Sequence, residues 1–174
     1  MRIFRINSTK RFDMYVDFKD LPDTARIWVY QSDRELNPAQ MEDMRIALKD
    51  FVEDWTRHGQ NLKGSFAILH NHFIVIGVDE SFNEVSGCSI DASTHVFKRF
   101  EQQFGLDLFN KLNTAFRSGE HINVVSMPDF QKFVKEERIT QDTTVFNNMV
   151  QTKADLANSW EVPAAKSWHS RYFN

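Results

Sequence analysis

The sequence predicts an α+β fold, in which a mainly antiparallel sheet is packed against two principal amphipathic helices. Three observations favour this class: helical patterns at 38–58 and 91–104, short segments rich in β-branched and aromatic residues, and hairpin turns between consecutive strands. Helices and strands do not alternate regularly, as they would in a doubly wound fold. Because 174 residues is the size of one domain, we expect residues 1–174 to form a single unit.

Composition and charge narrow the classes of protein that fit. The chain holds 21 basic and 24 acidic residues, a net charge of -3, which disfavours a dedicated nucleic-acid-binding protein. A single cysteine excludes an intrachain disulfide framework and multi-cysteine zinc sites, and it fits a reducing compartment. No apolar run approaches the roughly 18 residues that span a membrane, and residues 1–7 lack a signal-peptide core. We therefore expect a cytoplasmic protein without membrane insertion, and we predict no metal and no cofactor.

The first predicted strand covers residues 25–31, which are rich in β-branched and aromatic side chains. Its side chains alternate between two faces, with Ile27, Val29 and Gln31 on one face and Arg26, Trp28 and Tyr30 on the other. Segments 65–69 and 73–79 then form a predicted hairpin around His70-Asn71-His72. Because 73–79 is almost wholly apolar, we expect that strand to be central and covered on both faces. His70 and His72 could share a strand face and bind a metal, but a polar turn is the favoured interpretation.

The clearest helix begins after Asn37. Asn37 can cap the helix, Pro38 suits the first helical position, and Gln40 can reach back in a capping box. Large apolar residues follow at spacings of three and four: Met41, Met44, Leu48, Phe51, Val52 and Trp55. The sequence His58-Gly59 favours an end at that point, because glycine suits the left-handed position that terminates a helix.

A second helix is predicted over 91–104 and is opened by the sequence Val-Ser-Gly-Cys-Ser-Ile-Asp-Ala-Ser at 85–93. Ser89 or Asp91 can accept hydrogen bonds from the free amides of the first turn, and Gly87 permits a positive φ or a close backbone approach. The predicted core combines both helices with the central strand: Met44, Leu48, Phe51, Val52, Trp55, Ile74, Ile76, Val96, Phe97 and Phe100.

Shorter elements fill the C-terminal half. The patterns predict a hairpin that turns at Ser118-Gly119, a short helix after Pro128, a strand at 143–146 and a helix at 152–160 capped by Thr152. The tail at 160–174 carries four aromatic residues: Trp160, Trp168, Tyr172 and Phe173. We expect these rings to pack on the domain, and the alternative is a partner-binding arm.

The common catalytic and nucleotide-binding motifs are absent from the sequence. It contains no phosphate-binding loop, no dinucleotide-binding glycine turn, no nucleophile elbow and no His-Glu-x-x-His pair. What remains is a set of polar residues at strand ends and at the second helix start, which could converge if those ends are neighbours. The ligand-binding candidates are Gln31, Arg34, Asp79, Glu80 and Ser89. The catalytic candidates are Cys88, Asp91 and His95.

The chemistry of this constellation would centre on Cys88. A helix start stabilises a thiolate, a nearby histidine such as His95 could help to activate it, and the free amides could hold an anion. The alternative is a buried, unreactive Cys88 beside a capping Asp91, with Arg34 paired to a carboxylate and Asp79-Glu80 in a solvated turn.

Several segments resemble landmarks of a small bacterial family to which no reaction has been assigned. They are Trp28–Leu36, Trp55–Gly59, Val78–Glu80, Ser86–Asp91, Val145–Asn148 and Trp160–Pro163, so the resemblance covers most of the chain from Ala25 onward. Some members are labelled ATP-binding-cassette transporter ATPases, but this sequence lacks the phosphate loop, the signature segment and the length of such an ATPase. The resemblance implies a bacterial protein and supplies no catalytic residue.

Two classes of function remain. We predict a non-enzymatic binding or interaction domain, because the usual motifs are absent and the tail is aromatic; its partner would be another protein or a second copy of the chain. The alternative is an enzyme or phosphoryl-ligand binder that uses a polar pocket at the start of the helix after Ser86-Gly87-Cys88. A deep pocket joining Arg34, Asp79, Cys88 and Asp91 would favour that alternative.

Overall fold

The computed structural model describes residues 15–58, 63–81 and 87–174, and the side chains of 56–58 and 87–89 lie outside the description. The helices in these ranges are α1 (Pro38–His58), α2 (Gly87–Phe104), α3 (Met127–Lys135) and α4 (Lys153–Ser159). The strands are β1 (Arg26–Gln31), β2 (Lys63–Leu69), β3 (Phe73–Asp79), β4 (Asn113–Ser118), β5 (His121–Ser126), β6 (Thr144–Phe146) and β7 (Glu161–Pro163). Short 3-10 turns occur at Phe18–Asp20, Ala164–Lys166 and Trp168–Tyr172.

The predicted α+β class is confirmed, with two antiparallel sheets in place of one. A three-stranded sheet has the order β1-β3-β2, and a four-stranded sheet has the order β5-β4-β6-β7. The prediction that 73–79 is central is also confirmed, because β3 pairs with β1 on one side and β2 on the other. Six of its seven residues are buried, so the strand needs cover on both faces. The helices α1 and α2 cover one face and the second sheet covers the other.

The first core lies between α1, α2 and the three-stranded sheet. Met44 and Leu48 of α1 are fully buried there against Ile74 and Ile76 of β3. Tyr30 of β1 stacks on Phe97 of α2, with 3.6 Å between the ring centroids and 13° between the planes. Phe51 is the exception among the predicted core residues, because it packs against this cluster while only half-buried.

The second core lies between the two sheets. The opposite face of β3 contributes Phe73 and Val75, and the four-stranded sheet contributes Ala115 and Phe146. Trp160 closes this core from the C-terminal segment, with its ring 5.0 Å from that of Phe73 and 5.1 Å from that of Phe146. The contacts among these three rings join the two sheets into one unit.

The third core lies on the outer face of the four-stranded sheet, under α3 and the end of the chain. Phe130 of α3 is fully buried and contacts Phe116 of β4. The tail crosses this layer, where Tyr172 lies 5.9 Å and His169 lies 5.5 Å from the Phe130 ring. The layers therefore run from α1 and α2, through the two sheets, to α3 and the tail.

The start of α2 differs from the prediction. The helix begins at Gly87, one turn before the predicted start at residue 91, so Ser89 and Asp91 lie inside the helix and not at its cap. The free amides of a helix are those of its first turn, so here they belong to 87–90. Among the described residues, no helix is long and apolar enough to cross a membrane.

Candidate functional site

A cleft of about 720 Å³ opens beside β1, one of the two edge strands of the three-stranded sheet. Its walls come from β1, from segment 108–115 that leads into β4, from segment 146–152, and from Trp168 and His169 of the tail. We call this space the β1 cleft. Residues from both sheets line it, so the packing of one sheet on the other fixes its shape.

Part of the β1 edge is unpaired where it borders the cleft. The Ile27 amide donates to the Gln151 carbonyl at 2.9 Å, so the main-chain groups of Ile27 point away from β3. Main-chain groups alternate in direction along a strand, and those of Val29 and Gln31 therefore point the same way as Ile27. Within the described residues, no hydrogen bond to the Val29 amide or carbonyl is found on this side. The strand thus presents a free main-chain donor and acceptor to the cleft.

Side-chain amides are held in fixed positions at the end of β1. Gln31 Nε2 donates to the Asn113 carbonyl at 3.2 Å, and Asn148 Nδ2 donates to Gln31 Oε1 at 2.8 Å. Trp160 Nε1 in turn donates to Asn148 Oδ1 at 3.0 Å. This chain of bonds sets the direction of each amide and ties the cleft to the buried Trp160. The cleft therefore has an uncharged polar end whose side chains are already oriented.

Charge in the lining is largely compensated. Arg26 and Glu80 form an ion pair with 3.5 Å between Nη1 and Oε1, and the Arg26 guanidinium lies 4.9 Å from the Trp28 ring centroid. Lys111, which is exposed, is the remaining Lys, Arg, Asp or Glu among the described lining residues. The lining is thus mainly apolar, with uncharged polar groups and little net charge.

His169 carries an unusual buried nitrogen in the cleft wall. Its side chain is 1% exposed, and Nδ1 lies 2.7 Å from the Ser167 hydroxyl. That hydroxyl also lies 3.2 Å from the Ala164 carbonyl, so its single proton can be donated either to that carbonyl or to Nδ1. The other ring nitrogen, Nε2, is buried with no hydrogen-bond partner among the described residues. Burial, with a smaller effect of the Arg171 charge, lowers the pKa of His169 from 6.5 to about 4, so the ring is neutral near pH 7.

One apolar side chain in the cleft lining is strongly exposed. Met149 is 70% exposed, whereas Leu112, which is 64% exposed, is not among the lining residues.

The structure brings some of the predicted site residues to this cleft and leaves others elsewhere. Gln31 and Glu80 line it. Asp79 ends β3 and accepts hydrogen bonds from the amide and hydroxyl of Ser81, the amide at 2.9 Å. Arg34 donates to the carbonyls of Phe104 at 3.0 Å and Gly105 at 2.6 Å, at the C-terminal end of α2.

The α2 candidates lie at the opposite end of that helix from Arg34. Asp91 precedes Phe104 by 13 residues, which corresponds to about 20 Å of helix, so Arg34 and Asp91 are not neighbours. Asp91 and His95 are exposed on the α2 surface. Cys88 and Ser89 lie in the first turn of α2, and their side chains are outside the described residues.

The His-Asn-His segment forms a turn that joins the sheets. His70 Nε2 lies 3.1 Å from Glu161 Oε2, and Nδ1 of His72 bonds to the His70 carbonyl at 2.9 Å. Glu161 also forms an ion pair with Arg117 of β4. In the described part of the chain, no group of three or more His, Cys, Asp or Glu residues could hold a metal ion.

Sequence reasoning missed Asn113, Asn148 and His169. The Gln31–Asn148 contact joins residues 117 positions apart, and the Gln31–Asn113 contact joins residues 82 positions apart. No local pattern could have placed these side chains together. The aromatic tail was the one available signal, since its rings border both the cleft and the third core.

Comparison of the chain with protein-family models, curated proteins and solved structures gives no match.

Proposed function

We propose that this protein is a binding domain and that its ligand occupies the β1 cleft. The observation that carries this proposal is the cleft itself, whose 720 Å³ lies within the range of about 300–1,000 Å³ that small-ligand sites occupy. Mainly apolar walls with a few oriented polar groups are the usual composition of such sites.

The polar groups of the cleft favour an uncharged ligand that forms hydrogen bonds. Gln31 and Asn148 are held in place by each other, so they need little reordering when a ligand arrives. Nε2 of His169 has no partner among the described residues, and a ligand group that reached it would offset the burial of this polar atom. Arg26 and Glu80 already pair with each other, which leaves little charge to recruit an ion.

Fragment screening by protein NMR tests this proposal. The probes are a library of uncharged fragments and, in a separate titration, inorganic phosphate. We expect the uncharged fragments to shift the amide signals of Val29, Asn113 and Met149. We expect phosphate to leave those signals unchanged.

A matched pair of variants identifies the site. Met149→Arg places a long cation across the cleft mouth, whereas Ile46→Arg makes the same change on α1 at another exposed apolar position. Fragment binding should weaken roughly fivefold or more in Met149→Arg and stay unchanged in Ile46→Arg. Fragment shifts that cluster away from the cleft in the wild type would contradict the proposal.

The alternative, a phosphoryl-ligand site or active site at the start of α2, has no observation in its favour among the described side chains. Phosphate-dependent shifts confined to residues 87–93 would support it against the cleft. Arg34 would not contribute to such a site, because it lies at the other end of the helix.

A further inference from the structure

We infer that the ligand of the β1 cleft is an extended, uncharged peptide segment that adds to the open edge of β1 as a further strand. This inference rests on the proposed function and specifies the class of ligand. In this mode of recognition main-chain hydrogen bonds supply affinity, and pockets for alternate side chains supply specificity.

The chain already uses the first half of this edge for strand-like pairing. Ile27 donates to the Gln151 carbonyl at 2.9 Å, the Lys153 amide donates to the Ala25 carbonyl at 3.0 Å, and Arg26 and Thr152 form an antiparallel bridge. On the N-terminal side of Gln151 the segment turns away from β1, because the Val150 amide donates to the Asn147 carbonyl. The pairing therefore stops at Ile27, while β1 continues to Gln31.

The continuation of the edge is what a peptide backbone complements. Val29 presents an amide and a carbonyl on the cleft side, and Gln31 follows two residues later with the same orientation. Residues 28–31 span roughly 14 Å at the usual rise of a strand, which is the length of about four peptide residues. A small molecule would satisfy these groups singly, whereas an extended peptide meets them in register.

The side chains around the edge indicate the character of that peptide. Val29 faces the core between the sheets, while Trp28 and Tyr30 face the opposite side of the strand. An added strand would place alternate side chains beside each of these two apolar surfaces. Because the lining has little net charge, the segment that fits is apolar on both faces and uncharged.

Selection from a random displayed library supplies the probe, a capped heptapeptide resynthesised after selection on the full-length protein. Two sets of the peptide carry N-methyl groups at alternate residues, so that one set loses the amides that face β1 and the other loses those that face away. We expect the set that lacks the amides facing β1 to bind roughly tenfold more weakly than the parent peptide. The set that lacks the amides facing away should bind nearly as the parent does. We also expect the Val29 amide to become protected from hydrogen exchange when the peptide binds.

A variant pair tests the same bond from the protein. Val29→Pro removes an amide that faces the cleft and takes no part in pairing with β3, so the edge strand should tolerate it. Val29→Thr keeps that amide with a similar side-chain volume. Peptide affinity should fall roughly tenfold in Val29→Pro and change less than threefold in Val29→Thr. If Val29→Pro fails to fold, the N-methyl series still decides.

Three results would overturn the inference. One is equal binding by both N-methyl sets, and another is a library that yields no binder sensitive to those changes. The third is a dimer in sedimentation whose Val29 amide is protected without peptide, which would assign the edge to a second copy of the chain. Uncharged fragments that still map to the cleft in any of these cases would leave the proposed function intact.

Discussion

His169 and Ser167 form a hydrogen bond across a single intervening residue, with 2.7 Å between the imidazole Nδ1 and the hydroxyl oxygen. The bond orients a ring whose other nitrogen is buried without a partner in the part of the chain that the structure describes. Protonation of the His169 ring is unfavourable in the folded protein, because the charged ring would be desolvated and would lie near the charge of Arg171.

We predict a loss of stability as pH falls from 6.5 toward 4. In this interval the unfolded chain binds a proton at His169, while the folded protein, with its pKa lowered to about 4, does not. The shift from 6.5 to about 4 corresponds to about 3 kcal/mol of the free energy of unfolding. This contribution is fully present above pH 6.5 and is lost on acidification. Denaturant unfolding between pH 4 and 7.5 measures it, and His169→Gln should remove this part of the pH dependence. An imidazole that titrates near 6.5 by NMR in the folded protein would refute the prediction.

A second pH dependence is predicted for Glu161 at lower pH. The hydrogen bond from Arg117 holds the pKa of Glu161 below its usual 4.5, partial burial opposes this shift, and the charges of Arg117 and His70 add to it. The stabilisation is therefore present above pH 4.5 and disappears as pH falls through the lower folded-state value. Glu161→Gln should be less stable than the wild type at pH 7, and the two should converge as pH falls below the lowered pKa of Glu161 in the folded protein.

The control for that experiment is Glu136→Gln. Glu136, just after the C-terminal end of α3, pairs with Lys132 and Arg138 at 3.9 and 3.5 Å, and exposed pairs of this kind contribute little. Its free energy of unfolding should stay within about 0.5 kcal/mol of the wild type. An equal loss in both variants would show that the Glu161 ion pair has no special role.

Truncation of Leu48 should be costly, because its side chain is fully buried between α1 and the three-stranded sheet. We predict that Leu48→Ala lowers the free energy of unfolding by about 2–5 kcal/mol through lost burial and the cavity it leaves. Ile46→Ala, on the same helix but 57% exposed, should change it by less than about 0.5 kcal/mol. For half-buried Phe51, replacement by alanine should cost more free energy of unfolding than Ile46→Ala and less than Leu48→Ala. Equal losses at 46 and 48 would contradict this orientation of α1.

The tail should contribute to stability through Trp160 more than through Trp168. Trp160 is 5% exposed in the core between the sheets, whereas Trp168 is half-buried at the cleft wall. We predict that Trp160→Ala costs about 3–5 kcal/mol and that Trp168→Ala costs less. Deletion of residues 160–174 should lower the melting temperature further, since it also uncovers Phe130. Calorimetry of the three variants measures this order, and an unchanged melting temperature after the deletion would refute it.

Local patterns predicted the parts of the fold that local contacts determine. The capping box of α1 forms as expected, with 3.0 and 2.9 Å between the Asn37 and Gln40 groups, and the Thr152–Asp155 box starts α4. The start of α2 was misplaced because Ser89 and Asp91 suit a cap equally well by composition, although the backbone is already helical at both. Gln31 and Glu80, which were predicted because each ends or follows a strand, line the β1 cleft.

The second sheet and the cleft depend on contacts that composition does not encode. β6 and β7 have three residues each, too few to show a period of two, and β4 meets β6 at a single register pair, Phe116 with Val145. The Asn148 side chain reaches the cleft because Trp160 and Gln31 hold it, and these partners lie 12 and 117 positions away in sequence. Such convergence requires the three-dimensional arrangement of the strands.

The two-sided burial of β3 has a consequence for how the chain is made. Its face toward the second core is complete when Asp79 leaves the ribosome, but Phe146 and Trp160, which cover it, follow up to about 80 residues later. At about 5–20 residues per second, synthesis leaves Ile27, Phe73 and Val75 uncovered for up to roughly 4–16 s. During that interval the nascent chain offers an apolar sheet face to chaperones and to neighbouring nascent chains. Ribosome-bound chains arrested before residue 146 should accordingly be cut by protease within the first sheet, and chains released after residue 174 should resist.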